Sequence, residues 1–370
     1  MSVLYRDEDF EELVNAIRSG EAETASLSKV TSEFEAESNR FITDTTSPLP
    51  PGASPNDYVS LAEYWWPDPD KADGLPWIRR DGEVNPLCRR YDAVPMRCFF
   101  CKVQSLILSG FVRGDAAKFD AAADLLRAWY LNSATRMNPH LRYGQFIPGR
   151  NFGRNFGIID TRPLGGVFDL VERMPFRSKW TPADLAGVRQ WAGKYLEWLL
   201  TDPLGIEEGN TLNNHATAYD VQVVSLANFS GRRDIAQDQL NRVSRARISI
   251  QFAPDGSLPL ELERTCSKSY ACAGLYFFLL LAYLARDYGI DLWNFKGKHG
   301  VSIANGMRWL APKIKGRWSY GKQIIPFRKK EAAPLFFLAG KLDENMDFIA
   351  LAKKYVAPEI WHTMYPLRKF

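Results

Sequence analysis

Leu212-Asn213-Asn214-His215-Ala216-Thr217-Ala218-Tyr219-Asp220 opens a run with helical spacing that predicts a helix over 212–229. Asn213 stands where a helix N-cap would, because its short amide can accept a bond from the first exposed backbone N–H groups. His215 is one of only four histidines in the chain. Tyr219 and Val223 follow it at i+4 and i+8, so the ring either shares a packed face or projects into a cleft from the helix start. Working outward, apolar residues at helical spacing predict further helices over about 89–110, 115–131, 180–201, 233–250, 268–287, 301–312 and 331–341. Gly110, Gly231 and Gly289 stand where C-terminal caps are expected. No stretch alternates with period two over several strands. The chain reads as mostly α.

Composition narrows the function. Of 370 residues, 46% are hydrophobic, enough for a sizeable core, and 13% are aromatic. Aromatic rings fill cores, and their flat faces also suit pyranose rings. The formal charge of +4, from 47 Lys+Arg against 43 Asp+Glu, and the lack of a basic tail argue against nucleic acid as partner. Five cysteines, an odd number, describe no disulfide framework, and Cys98-Phe99-Phe100-Cys101 has no second pair at zinc-site spacing. These cysteines are expected as buried thiols in an apolar helix.

Residues 1–46 read as a helical extension packed on the rest of the chain, with Phe10, Leu13, Val14 and Ile17 on one face and a second helix over 26–43. Ser47-Pro48-Leu49-Pro50-Pro51-Gly52 is a stiff loop, not a domain boundary, so residues 47–370 form the one functional domain. The start of the chain has no apolar signal core, and no run looks long enough to span a membrane. The expectation is a cytoplasmic protein without membrane contact, or a secreted one if a signal was removed.

Three stretches carry chemistry. Leu260-Glu261-Leu262-Glu263-Arg264-Thr265, followed by Tyr270, joins Asn214 and His215 as a kit of amide, imidazole, guanidinium and phenol. Singly, Arg264 could be a salt bridge to its neighbouring glutamates, and Tyr270, in line with Gly274, Phe277 and Leu281, could be core. Together they suit removal of a proton beside a carboxylate whose growing charge needs donors around it. A second stretch is Asp57-Tyr58-Val59-Ser60-Leu61-Ala62-Glu63-Tyr64-Trp65-Trp66-Pro67-Asp68-Pro69, running on to Arg79, in a proline-rich loop over 55–88. The third, Tyr143-Gly144-Gln145-Phe146 through Arg154 to Arg162, is glycine-rich but lacks the Lys-Ser/Thr and preceding strand of a phosphate loop.

These three stretches resemble the alginate lyase superfamily of polysaccharide lyases, in the branch acting on mannuronate-rich alginate or β-1,4-glucuronan. The resemblance runs from about residue 55 to about residue 290. It implies a single-domain, incomplete α/α toroid, with Asn214, His215, Arg264 and Tyr270 as catalytic residues. It also implies that Tyr64, Trp65, Trp66, Arg79, Tyr143, Gln145, Arg154 and Arg162 line the cleft against an acidic polysaccharide. No cofactor and no metal are expected. Two rivals stand beside this reading: a glycoside hydrolase using carboxylates such as Asp160, Asp169 or Asp220, and a non-catalytic polyuronate-binding protein.

Overall fold

The computed structural model describes Leu4 and residues 6–18, 40–343 and 348–355. The expected helix at 26–43 lies almost wholly outside them. The chain divides into two compact units, one running to Glu208 and including Phe229–Gly231, the other comprising Gly209–Asn228 and Arg232–Pro366.

The first unit begins with α1 (Asp7–Arg18), seated by Phe10 edge-on to Phe111 and by Arg18 donating to the carbonyls of Phe111 and Val112. Between residues 59 and 146 lie β1 (Val59–Leu61), β2 (Trp65–Trp66), β3 (Ile78–Arg79) and β4 (Tyr143–Phe146). β1 pairs in parallel with β4, and β2 antiparallel with β3. Strands of two to four residues leave no alternation in the sequence, which is why this region reads as loop. Val59, Leu61, Trp77, Phe146 and Ile147 form a buried core beneath them.

α2 (Ala93–Arg113) and α3 (Ala116–Leu126), continued by one π turn to Leu131, cover the expected helices at 89–110 and 115–131. Gly110 is not the cap. The chain stays helical to Arg113 and the left-handed cap is Gly114, at φ 65°. Gly110 instead faces the Phe119 ring, where a Cβ would come within 2.7 Å. α4 (Leu164–Arg173) was not foreseen, because Gly165 and Gly166 weaken its propensity, yet Leu164 to Val171 are all buried and burial overrides the cost. α5 (Pro182–Thr201) starts on a Thr181/Asp184 capping box, with Arg127 bridging both Asp184 oxygens at 2.8 and 2.7 Å. α6 (Pro203–Gly209) is a short turn of helix.

The second unit holds α7 (Asn214–Phe229) except its last residue, α8 (Arg233–Asp238) running through a π turn into α9 (Ser244–Gln251), α10 (Pro259–Leu262), α11 (Ser267–Ala285), α12 (Ile303–Leu310), α13 (Ala333–Leu342) and α14 (Phe348–Tyr355). α11 is its core, with Leu275 to Ala285 all buried and α10, α12 and α13 packed around it. Extended by its last turn to Tyr288, the helix has 22 residues and is long and apolar enough to cross a membrane. The sequence reading expected no such run. Some 83% of its apolar window is buried inside the protein, as in a core helix.

A buried ion cluster stitches α7 to α9. Arg247 grips Asp220 through Nε at 2.6 Å and Nη2 at 2.7 Å, and Gln239 and Ser244 donate to the same carboxylate. All five cysteines are buried and none is in a disulfide; burial pushes the Cys88 and Cys101 thiols up to about 12.

Candidate active site

In the second unit, Asn214 begins α7 and meets Glu261 of α10. Glu261 accepts the Asn214 backbone N–H on Oε1 and the Asn214 side-chain Nδ2 on Oε2, both at 2.7 Å. A carboxylate at a helix N-terminus satisfies exposed donors and complements the dipole. α11 supplies the floor: a Cβ on Gly274 would lie 3.2 Å from Glu261 Cγ and 3.7 Å from Asn214 Cβ, so a bare helix surface lets both pack there. Tyr270 stands one helical turn before Gly274 on the same face of α11. Arg264, just beyond α10, lays its guanidinium 3.8 Å from the Tyr270 ring centroid and donates from Nη2 to the phenol oxygen at 2.8 Å.

His215 follows Asn214, its backbone N–H bonded to Asn213 Oδ1 at 3.3 Å, so Asn213 caps as expected. Gln251 fastens this turn, donating to the Asn213 carbonyl and accepting from Thr217. The structure therefore gathers the amide, guanidinium and phenol on one face of α11, with the imidazole beside the amide.

Glu261 is the residue that sequence reasoning passed over. It is 2% exposed, and burial pushes its carboxyl up to about 7 against the pull of the Asn214 bonds, Arg264 and His215. Its sequence signal was an acid flanked by Leu258, Leu260 and Leu262 after Pro259, a setting that buries it. Asn214 is only 3% exposed, and its Oδ1 has no hydrogen-bond partner among the described residues. The amide expected to offer its nitrogen to substrate thus spends one hydrogen on Glu261.

The cleft candidates lie in the first unit. Trp65 pairs with Arg79 across β2 and β3, packs on the buried core and carries Arg150 4.9 Å from its ring centre. Trp66 donates from its indole to Glu83 and carries Arg80 at 5.3 Å. One face of each indole is therefore occupied by a guanidinium. Tyr64 accepts Arg80 N–H through its carbonyl, and Arg79 pairs with Asp81 at 2.7 Å. Tyr143 lies on β4 with its hydroxyl near Gly52.

Gln145, with its backbone at φ 50°, joins Asp160 through Nε2 at 3.3 Å and Arg154 through Oε1 at 2.9 Å. Burial pushes the Arg154 guanidinium down to about 10, still charged at neutral pH, and its Nε has no hydrogen-bond partner among the described residues. Arg162 donates to the Ile159 carbonyl. His140 meets Asp57 at 3.2 Å; burial raises that carboxyl, but bonds from His140, Asn138 and Ser54 more than offset it and hold it well below the usual range.

The three carboxylates of the hydrolase reading are engaged elsewhere. Asp220 is locked by Arg247, Asp169 is fully buried on Arg173 and the Leu4 N–H, and Asp160 accepts from Tyr58, Ser60 and Gln145. Among the described residues no group of three His, Cys, Asp or Glu is placed to hold a metal ion.

A mostly helical chain presenting donors and a phenol instead of paired acids has the character of a polysaccharide lyase. A family model described as alginate lyase matches residues 42–319, and the chain belongs to that family. It is similar to an alginate lyase from Bacteroides ovatus, with 31% identity, 99% of each chain covered and a TM-score of 0.91. Alginate lyase A1-III from Sphingomonas species A1 shares the fold at 12% identity, with 94% of this chain and 95% of that one covered and a TM-score of 0.55. A variant of A1-III complexed with a tetrasaccharide gives 13% identity, 84% and 82% coverage, and a TM-score of 0.57. No curated protein sequence matches.

Proposed function

We propose that this protein cleaves β-1,4-linked polyuronate, either mannuronate-rich alginate or β-1,4-glucuronan, by β-elimination, leaving 4,5-unsaturated uronate ends. The observation that carries the reading is the Arg264–Tyr270 pair, guanidinium on phenol with an N–H on its oxygen at 2.8 Å, beside the Asn214–His215 helix start. That bond uses a lone pair of the phenol oxygen, not its hydrogen. The oxygen is thereby kept in a proton-transferring position next to a fixed positive charge.

The C5 hydrogen of a uronate is weakly acidic because the adjacent carboxylate already carries charge. Removing it puts a second negative charge on that carboxylate. Donors from Asn214, His215 and Arg264 lower that barrier in proportion to the charge that develops. In β-mannuronate and β-glucuronate the C5 hydrogen and O4 share a ring face, so one tyrosine takes the proton and hands it to the leaving oxygen. In guluronate they lie on opposite faces, and a second base is needed. The family membership and the Bacteroides ovatus likeness support the substrate class; the stereochemical argument selects within it.

The test is ultraviolet absorbance of the conjugated product on polymannuronate, polyguluronate, β-1,4-glucuronan and 4-linked galacturonan at matched uronate. Mannuronate and glucuronan polymers should react fastest. Faster cleavage of polyguluronate than of both would make His215 or another group the working base. Reducing ends without the chromophore would mean hydrolysis.

A further inference from the structure

Beyond α12 the chain turns basic. Lys313, Lys315, Arg317, Lys322, Arg328, Lys329 and Lys330 are seven cations with no acid among residues 313–330. For a chain of net charge +4 that is a strong local excess. Lys315, Arg317, Lys322 and Lys329 are exposed and form no ion pair among the described residues. Aromatic rings interleave with them. Trp309, Trp318 and Tyr320 meet edge-on at 5.1 to 6.3 Å, and Lys313 lies 4.3 Å from the Trp309 ring centre and 5.2 Å from that of Tyr320. Tyr320 is 43% exposed, and Ile324 and Ile325 are 52% and 51% exposed.

This segment is fastened to the backbone that joins Arg264 to Tyr270. Ile324 N–H bonds the Thr265 carbonyl at 3.0 Å, and Ser267 N–H bonds the Lys322 carbonyl at 2.8 Å. Gln323 Oε1 accepts from the N–H groups of Lys268 and Ser269, capping α11 just before Tyr270. At Gly321 the approach is close enough that a Cβ would meet the Leu262 carbonyl oxygen at 2.4 Å. Lys268, 5% exposed, nails the segment from below by donating to the Ile314 carbonyl at 3.0 Å and facing the Trp318 and Phe327 rings.

An exposed run of like charges is costly for a compact fold and attracts counter-ions within a Debye length of about 8 Å at physiological salt. Here the backbone that carries the charges is fastened to the start of α11, and aromatic rings stand among them. We propose that residues 313–330 form a binding strip for the acidic polysaccharide outside the reacting sugar, with Lys315, Arg317 and Lys322 taking its carboxylates and Tyr320 a pyranose face. This rests on the polyuronate reading above and extends it from the reacting residue to the length of polymer engaged.

The experiment compares wild type with the combined Lys315→Ala, Arg317→Ala, Lys322→Ala variant on a uronate polymer and on its trisaccharide, across sodium chloride concentrations. Three exposed charge contacts at a factor of about two each predict an approximately eightfold rise in polymer KM, with kcat retained and a shallower salt dependence. Trisaccharide kinetics should be unchanged. Polymer KM within twofold of wild type at the same salt slope, or an equal loss on the trisaccharide, would overturn the strip.

Calorimetric titration of the same polymer into Tyr270→Phe protein, with and without the three substitutions, reads binding without turnover. A wild type that cleaves no polyuronate sinks the functional reading while this titration still judges the strip. Equally tight binding of a single-stranded nucleic acid of matched charge would mean a general polyanion surface and would also overturn it.

Discussion

Replacing Glu261 by Gln separates two roles for the Asn214 amide, and the structure says which way the result should fall. As a carboxylate, Glu261 has two acceptor oxygens, and both take N–H groups of Asn214 at 2.7 Å. That arrangement turns Nδ2 inward and leaves Oδ1 buried without a donor, a state that costs about 1–3 kcal/mol. A neutral carboxyl, or a glutamine, offers one acceptor and one donor. Its acceptor keeps the backbone N–H, which α7 holds fixed, and its donor meets Oδ1 once the amide makes a half-turn. Every polar atom is then satisfied, and the amide NH₂ faces away from Glu261, where a uronate carboxylate would take it.

With Glu261 pushed up to about 7, the neutral form is accessible near neutrality, and a bound carboxylate would favour it further. Glu261→Gln should therefore keep kcat within about threefold of wild type at pH 6. The wild type should lose kcat/KM as pH rises through about 7, and the variant should not. Stability should follow the same proton. Because the folded value lies above the ordinary 4.5, this group's contribution is fully present below about pH 4.5 and is lost as pH rises through about 7. Denaturant unfolding at pH 5 and pH 8 should show that loss in wild type and not in the variant. A hundredfold fall in kcat, with wild-type rates that climb through pH 7, would refute the reasoning and place the working nitrogen on a charged Glu261.

Other consequences are more direct. Tyr270→Phe keeps the ring under Arg264 but deletes the oxygen proposed to transfer the proton, so kcat should fall at least about a hundredfold with polymer binding retained; more than a tenth of wild-type turnover would acquit it. Arg264→Ala should lower kcat and kcat/KM together, since charge on the carboxylate grows toward the transition state; a rise in KM alone would reduce Arg264 to a holding role. Asp220→Ala strands Arg247 inside the second unit and should cost about 3–5 kcal/mol in denaturant unfolding, whereas a loss under about 1 kcal/mol would mean the cluster admits water. Gly321→Ala forces the basic segment off the Leu262 carbonyl and should lower kcat by misplacing Tyr270, with rates unchanged if the segment is a passive cover.

Much of this was legible in the chain. Apolar runs at helical spacing located α2, α3, α5, α7, α11 and α13, the last two because they are apolar and buried nearly all round. It missed α4, whose paired glycines conceal a buried helix, and it mistook Gly110 for a cap when its job is to admit Phe119. Asn214, His215, Arg264 and Tyr270 are named only through family resemblance, since each alone passes for a cap, a core residue or a salt bridge. Glu261 was not, because its partner is 47 residues away and only folding brings a buried acid to that amide. Gly274 and the Gln323 cap are equally silent in sequence: an absent side chain and a neutral amide carry no pattern of their own.

α11 makes Tyr270, the residue proposed to move the proton, the tip of a long rod sunk in the core. A close-packed interior transmits strain, and Arg264 stands on the turn after α10, outside the helix that carries Tyr270. Repacking at Leu279 or Leu284, two to four turns from Tyr270, should therefore shift the phenol relative to the guanidinium. Attempts to harden the second unit by refilling its core should trade melting temperature against turnover, and the exchange should be steepest for substitutions that push along the helix axis instead of across it.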